Sequence, residues 1–217
     1  MLKEFDLDAP TLPKEQRMAF RDQTRCVTSL FERHFEQSSV QSSAWKILIE
    51  VVPTVTKPLA RDLLGVLVFQ IEADAEAMLS LKEEAKRPQA LKWLLQGIQG
   101  MARQQRWPEA PFSTAATAVE RLGYVNKWNW KRRHWNPSKT IGCDIQIELT
   151  CECALIKALF VRDKDEPVGE ALLCSTRPNE FLLANLLGEV RWTSESTMEL
   201  TSKDGSQRWT ATPPEGS

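Results

Sequence analysis

The sequence lacks the residues and motifs on which most enzymes depend. Only two histidines, His34 and His134, occur among its 217 residues. It has no Gly-rich phosphate loop, no Walker motif and no G-x-S-x-G motif. The paired carboxylates Glu72 and Glu76 are not accompanied by the Glu-x-x-His motif of a carboxylate-bridged dimetal site. We therefore predict a protein that is not an enzyme.

Long hydrophobic runs are also missing. The longest apolar stretch, residues 63–71, is far shorter than the roughly 20 residues that span a bilayer. The first ten residues lack both the basic start and the apolar run of a signal peptide. We therefore expect a cytoplasmic protein with no membrane role.

Cysteine is present in an odd number, five residues, which argues against a disulfide framework. Cys143, Cys151 and Cys153 fall on the apolar positions of an alternating stretch, and their spacing differs from the two-residue knuckle of zinc sites. A nucleophilic pair of Cys143 with His134 has no motif that would position it. We expect buried free thiols, with no metal and no other cofactor.

Charge is segregated along the chain, although the net charge is only −1. Residues 1–85 carry 10 basic and 14 acidic groups, and residues 140–217 carry 7 and 13. Between them, residues 86–139 carry 11 basic and 2 acidic groups, a net charge of +9. A basic block of this kind attracts an anionic partner or neutralises its own acidic neighbours.

The basic block ends in a segment, residues 123–139, with four aromatic residues, five Lys or Arg and one histidine. Trp, Tyr and Arg are the residues that dominate protein-binding hot spots. The candidate partner-binding residues come from this segment and from the end of the helix predicted at residues 88–106. They are Lys127, Trp128, Trp130, Lys131, Arg132, Arg133, His134, Trp135, Arg103 and Arg106.

Three interpretations of the segment stay open. In the first, it is an edge strand or loop whose Trp128 and Trp130 stack on a sheet while the cations face solvent. In the second, it recognises an acidic protein. In the third, it binds nucleic acid, either a single strand stacked on its aromatic rings or a duplex. Residues 117–123, TAVERLG, resemble the first helix of helix-turn-helix motifs, which implies that the basic segment would be the second helix.

The profile as a whole is similar to that of dedicated binding proteins, such as bacterial toxin-neutralising immunity proteins or single-partner adaptors. The resemblance implies one acidic protein partner, with nucleic acid as the alternative. We expect that reversing the charge of Arg132 and Arg133 together weakens partner binding and leaves the melting temperature nearly unchanged.

Hydrophobic periodicity predicts an α+β protein with a helical N-terminal half and a mainly antiparallel sheet with one or two short helices after it. Prolines at residues 107–112 favour a boundary between a helical bundle region, 1–110, and an α+β region, 111–217, although both could share one core. The predicted helices are 14–36, 44–52, 56–85, 88–106, 114–122 and 178–188. The predicted strands are 143–153, 155–161, 168–174, 189–193, 197–201 and 207–211.

Overall fold

The computed structural model describes residues 1–162 and 165–214, apart from the side chain of Ser38. Helices and antiparallel strands are both present, so the fold is mixed α+β. The chain divides into two units, residues 1–126 and 127–217. The first unit thus extends past the prolines of residues 107–112, because the helix that follows them packs on helices of that unit.

The first unit has four strands and four α-helices. The strands are β1 (Glu4–Asp8), β2 (Lys46–Val52), β3 (Arg61–Leu63) and β4 (Val66–Glu72). The helices are α1 (Lys14–His34), α2 (Ala75–Leu79), α3 (Glu83–Gln105) and α4 (Ala110–Arg121), with a short 3-10 turn at Gln37–Ser39. The sheet has the order β1-β2-β4-β3, in which β1, β2 and β4 are parallel and β3 is antiparallel to β4.

The prediction of a helical N-terminal half is wrong. Residues 44–52 were predicted as a helix, but β2 occupies them, since the alternating Ile47, Ile49 and Val51 are all buried on one side of the strand. Residues 56–85 were predicted as one long helix, but they form β3, β4 and α2. A short apolar run fits a buried strand of a parallel sheet as well as a buried helix.

The helices predicted at residues 14–36 and 114–122 are confirmed as α1 and α4, within a few residues at each end. The helix predicted to begin at Pro88 begins at Glu83, so the proline lies inside α3. Helices and sheet share an aromatic core. The ring of Phe5 in β1 lies 5.0 Å from that of Phe31 in α1 and 4.9 Å from that of Phe35.

The turn between β3 and β4 contains an unfavourable residue. Leu64 has φ of 56° and is fully exposed, and Gly65 after it has φ of 85°. Two positive φ values in a two-residue hairpin loop favour Asn-Gly, because a left-handed backbone costs a side chain with a Cβ about 1–2 kcal/mol.

We expect Leu64→Asn to stabilise the first unit by about 1 kcal/mol, because asparagine tolerates the left-handed region and no packed side chain is lost. Urea denaturation followed by circular dichroism measures the change. Leu64→Ala is the control, since it shortens the side chain without improving the backbone preference. Equal stability of both variants would show that the turn is not strained.

The described residues of the second unit form seven strands and one α-helix. The strands are β5 (Asn126–Trp135), whose first residue belongs to the first unit, β6 (Gly142–Leu149), β7 (Ala154–Val161), β8 (Pro167–Thr176), β9 (Glu189–Trp192), β10 (Met198–Thr201) and β11 (Arg208–Ala211). The helix is α5 (Glu180–Leu186). A four-stranded sheet has the order β5-β6-β7-β8, and a three-stranded antiparallel sheet has the order β11-β10-β9.

Most of the predicted elements of the second unit are confirmed, namely β7 to β11 and α5. The strand predicted at residues 143–153 is wrong at its end, because β6 stops at Leu149. The hydroxyl of Thr150 accepts hydrogen bonds from the backbone N–H groups of Glu152 and Cys153, which turns the chain towards β7. The polar turn predicted at residues 163–167 lies partly outside the described residues.

Among the described residues, no helix is both long and apolar enough to cross a membrane.

Candidate functional site

The segment that the sequence analysis singled out forms β5, at one edge of the four-stranded sheet. Trp128 and Trp130 are half-buried, and the alternate residues Lys127 and Asn129 are exposed. The alternation stops at Lys131, whose φ of 60° lies in the left-handed region. A strand residue in that conformation re-aims the side chains around it. The helix-turn-helix interpretation is wrong, since its second helix is a strand.

Two cations of β5 are held by carboxylates of the same unit. The guanidinium of Arg133 lies 2.8 Å from Asp144 Oδ2 and 2.5 Å from Asp165 Oδ1, and the hydrogen bonds that it donates to these two carboxylates raise the pKa of Arg133. Lys127 Nζ lies 3.1 Å from Glu148 Oε2. These cations stabilise the sheet edge, which reduces the charge that β5 offers to a partner.

Lys131 is held differently. Its ammonium lies 4.1 Å from the ring centroid of Trp130 and 3.3 Å from the carbonyl oxygen of Gly188, to which it donates a hydrogen bond. An ammonium has three N–H donors. The position over the indole and the contact with Gly188 leave Lys131 able to donate to a further acceptor.

Arg132 and Trp135 are both exposed on β5. Arg132 is exposed and makes no ion pair with any residue that the structure describes. Trp135 is 41% exposed, with the guanidinium of Arg133 5.8 Å from its ring centroid. Neither Arg132 nor Trp135 lines the cavity described next.

A groove of about 520 Å³ runs between β5 and α5. Trp128, Trp130 and Lys131 form its β5 side. The α5 side is one helix face, with the spacing i, i+3, i+4 and i+7: Glu180, Leu183, Ala184 and Leu187. Gly188 and Lys203 complete the lining.

Contacts at both ends hold α5 in place. The side-chain oxygen of Asn179 accepts the backbone N–H groups of Phe181, at 3.0 Å, and Leu182, at 3.4 Å. After the helix, Gly188 passes so close to the strand backbone that an added Cβ would lie 2.4 Å from the carbonyl oxygen of Thr201. The α5 wall of the groove is therefore tied to the three-stranded sheet.

Lys203 enters the groove from the turn between β10 and β11. Its backbone N–H donates to the carbonyl of Asn185, at 3.0 Å. The next residue, Asp204, accepts hydrogen bonds from the hydroxyls of Ser202 and Ser206, which lower its pKa to about 2. The turn is thus fixed, and the ammonium of Lys203 makes no ion pair within the described part of the chain.

The loop after β5 is also fixed. The side-chain oxygen of buried Asn136 accepts the N–H groups of Thr140 and Ile141, and its amide donates to the carbonyl of Glu195. The carboxylate of Glu195 accepts the N–H of Ser138. These hydrogen bonds hold the loop that joins β5 to β6 in one conformation.

The cysteine considered for nucleophilic catalysis lacks the required electrostatics. Burial raises the pKa of the Cys143 thiol to about 12, whereas a nucleophilic cysteine has a lowered pKa. Burial, together with nearby Lys131 and Arg132, lowers the pKa of His134. In the described residues, no group of three His, Cys, Asp or Glu side chains could hold a metal ion.

No family model, curated protein or solved structure matches this chain. Its function is therefore inferred from the geometry of its own residues.

The predicted partner-binding residues belong to both units. Arg103 and Arg106 lie at the end of α3 in the first unit, and β5 from Lys127 onwards lies in the second. Residues 1–126 contain 16 basic and 16 acidic groups, and residues 127–217 contain 12 and 13. The basic block of the sequence is thus divided between two units that are each close to neutral.

The sequence analysis missed the α5 side of the groove and Lys203. One signal was present for α5, because Glu180, Leu183, Ala184 and Leu187 share one face of a predicted helix. No signal was present for Lys203, which is more than seventy positions from Lys131 in the sequence and joins the groove only through the fold.

Proposed function

We propose that this chain is a non-enzymatic protein-binding protein that holds an acidic segment of a partner protein in the groove between β5 and α5. One observation carries the proposal. Two indole rings and two ammonium groups from distant parts of the second unit line the same groove, on walls fixed by hydrogen bonds. Aromatic rings with nearby cations are typical of binding hot spots.

The size of the groove favours a segment over a folded domain. Its volume of about 520 Å³ lies within the range of roughly 300–1,000 Å³ found for ligand pockets. A stable interface between two folded proteins buries about 800 Å² on each partner. A groove of this size holds a few side chains of a partner, so the partner would insert a short segment.

The charge of the groove favours an acidic segment. Lys131 and Lys203 line it with a single carboxylate, that of Glu180. Lys131 donates to only one carbonyl oxygen that the structure describes, and Lys203 makes no ion pair with described residues. A carboxylate would receive charge-assisted hydrogen bonds from both.

The surroundings of β5 support a protein partner over nucleic acid. A phosphate backbone is bound by many unpaired Lys and Arg side chains. Arg133 and Lys127 of β5 are already paired with Asp144 and Glu148 of β6, so β5 offers fewer unpaired cations than a phosphate backbone requires. The raised pKa of the Cys143 thiol supports a role in which this cysteine is not a nucleophile.

We further propose that the protein is a bacterial toxin-neutralising immunity protein or a single-partner adaptor, acting in the cytoplasm. Support comes from the residue composition and from the five cysteines, which are all free thiols in the structure.

The test is a selection of twelve-residue peptides from a random phage-displayed library on the immobilised full chain. We expect enrichment of Asp and Glu. We also expect Lys131→Glu and Lys203→Glu each to weaken the selected peptides about tenfold, since each replaces an attractive charge by a repulsive one. Lys139→Glu is the matched control, because it makes the same charge change on an exposed lysine outside the groove.

Two results would contradict the proposal. One is a selection without acidic enrichment, or acidic peptides that bind the Lys203→Glu variant as tightly as the wild type. The other is tight binding of fluorescein-labelled oligo-dT that falls steeply as salt is raised, which would assign the groove to single-stranded nucleic acid.

A further inference from the structure

We propose that the segment held in the groove carries an aromatic side chain, which enters a recess over Ala184, with its acidic residues towards the C-terminal end of α5. This inference rests on the proposed function and specifies the chemistry of the partner.

The recess follows from the residues on the groove face of α5. Leu183 and Leu187 are large and buried against the unit, and Glu180 lies at the start of the helix. Ala184 lies between them and is the smallest side chain of that face, so the helix surface is lowest there. A side chain from the partner has room above Ala184 without moving α5.

The opposite wall favours a flat ring in that recess. Trp128 and Trp130 are two positions apart in the regular part of β5, so they project from the same side of the strand about 7 Å apart. Both line the groove. Aromatic rings pair well with indoles, in offset or edge-on arrangements, and bury more apolar area than any other side chain.

The lysines set the direction of the segment. Lys131 contacts Gly188, and the backbone of Lys203 is hydrogen-bonded to Asn185, so both enter the groove near the C-terminal end of α5. Glu180 lies at the other end of the helix, away from both ammonium groups. The acidic residues of the segment are therefore placed near Gly188 and the aromatic residue near the middle of the helix.

The experiment compares two dye-labelled twelve-residue peptides by fluorescence anisotropy with the full chain. Both have the same acidic residues, and one has a central phenylalanine where the other has alanine. We expect the phenylalanine peptide to bind at least about tenfold more tightly, the gain from burying one aromatic side chain. Ala184→Leu fills the recess, so we expect it to abolish that preference while both peptides still bind.

Asn185→Leu is the matched control, because it adds a similar side chain at an exposed position beside the recess. A melting curve checks that Ala184→Leu is folded, and the smaller Ala184→Val replaces it otherwise. The proposal of an aromatic side chain would be wrong if the two peptides bound the wild type equally, or if the preference for phenylalanine remained in Ala184→Leu. Neither result would contradict the proposal that the groove binds an acidic segment. Binding of neither peptide would overturn the proposed function as well.

Discussion

Replacing Arg133 with glutamate is expected to destabilise the second unit by about 3 kcal/mol, equivalent to a fall of roughly 15 °C in melting temperature. The guanidinium of Arg133 is bonded to Asp144, which is 9% exposed, and to Asp165. Removing it leaves a buried carboxylate without its cation, and the new glutamate adds repulsion. Calorimetry measures the loss, and hydrogen exchange of peptides from residues 127–214 assigns it to the second unit.

Arg132→Glu is the control for this change. The neighbouring Arg132 is exposed and without an ion pair to any described residue, so we expect its melting temperature to stay within a few degrees of the wild type. From the sequence alone, the double replacement of Arg132 and Arg133 is expected to leave the melting temperature nearly unchanged. The structure predicts a large loss of stability for Arg133→Glu and almost none for Arg132→Glu. Equal melting temperatures for the two single variants would show that the Arg133 ion pairs contribute nothing.

Replacing Gly97 with leucine is expected to destabilise the first unit by about 3 kcal/mol or more. Gly97 lies where α3 crosses β2, and a Cβ built there would lie 2.5 Å from Ile49 Cδ1 and 2.6 Å from its Cγ2. Gly100, one turn later, is equally close to the ring of Phe69 in β4. A larger side chain would push the helix off the sheet.

Gln96→Leu is the matched control, because it places the same side chain on the exposed side of α3. We expect it to change stability by less than about 0.5 kcal/mol. Guanidinium denaturation followed by helical circular dichroism compares the two, because α1, α3 and α4 all belong to the first unit. If Gly97→Leu and Gln96→Leu were equally stable, α3 could move away from the sheet at little cost in free energy. That result would contradict the close packing at Gly97.

The second unit was largely predictable from the sequence because its signals are local. Antiparallel strands with one buried face alternate apolar and polar residues, as in residues 143–149, where the side chains on one face are buried. The turns contain residue types that are typical of turns, such as the Asp204–Gly205 pair between β10 and β11. The end of β6 was predicted wrongly, because the alternation continues through the turn at residues 150–153. β5 was only one of three open interpretations of its segment.

The first unit was predicted poorly because its sheet is parallel and covered by helices. Strands of this kind can lose the alternation that marks a half-exposed strand, as in β4, which is an almost continuous apolar run, whereas β2 keeps its alternation. Such a run over seven to nine residues also fits a buried helix. The choice between the two depends on pairing with β2, which is distant in the sequence.

The sequence by itself determined the mixed α+β class, most of the second unit and a cation-rich segment with tryptophans in residues 127–135. Residue types and their periodicity carry this information, since both act over a few neighbouring positions. Only the tertiary structure decided which cations form ion pairs with carboxylates of the same unit and which line a groove. The groove itself depends on contacts between β5, α5 and Lys203, and the free energy of such contacts exists only once the chain has folded.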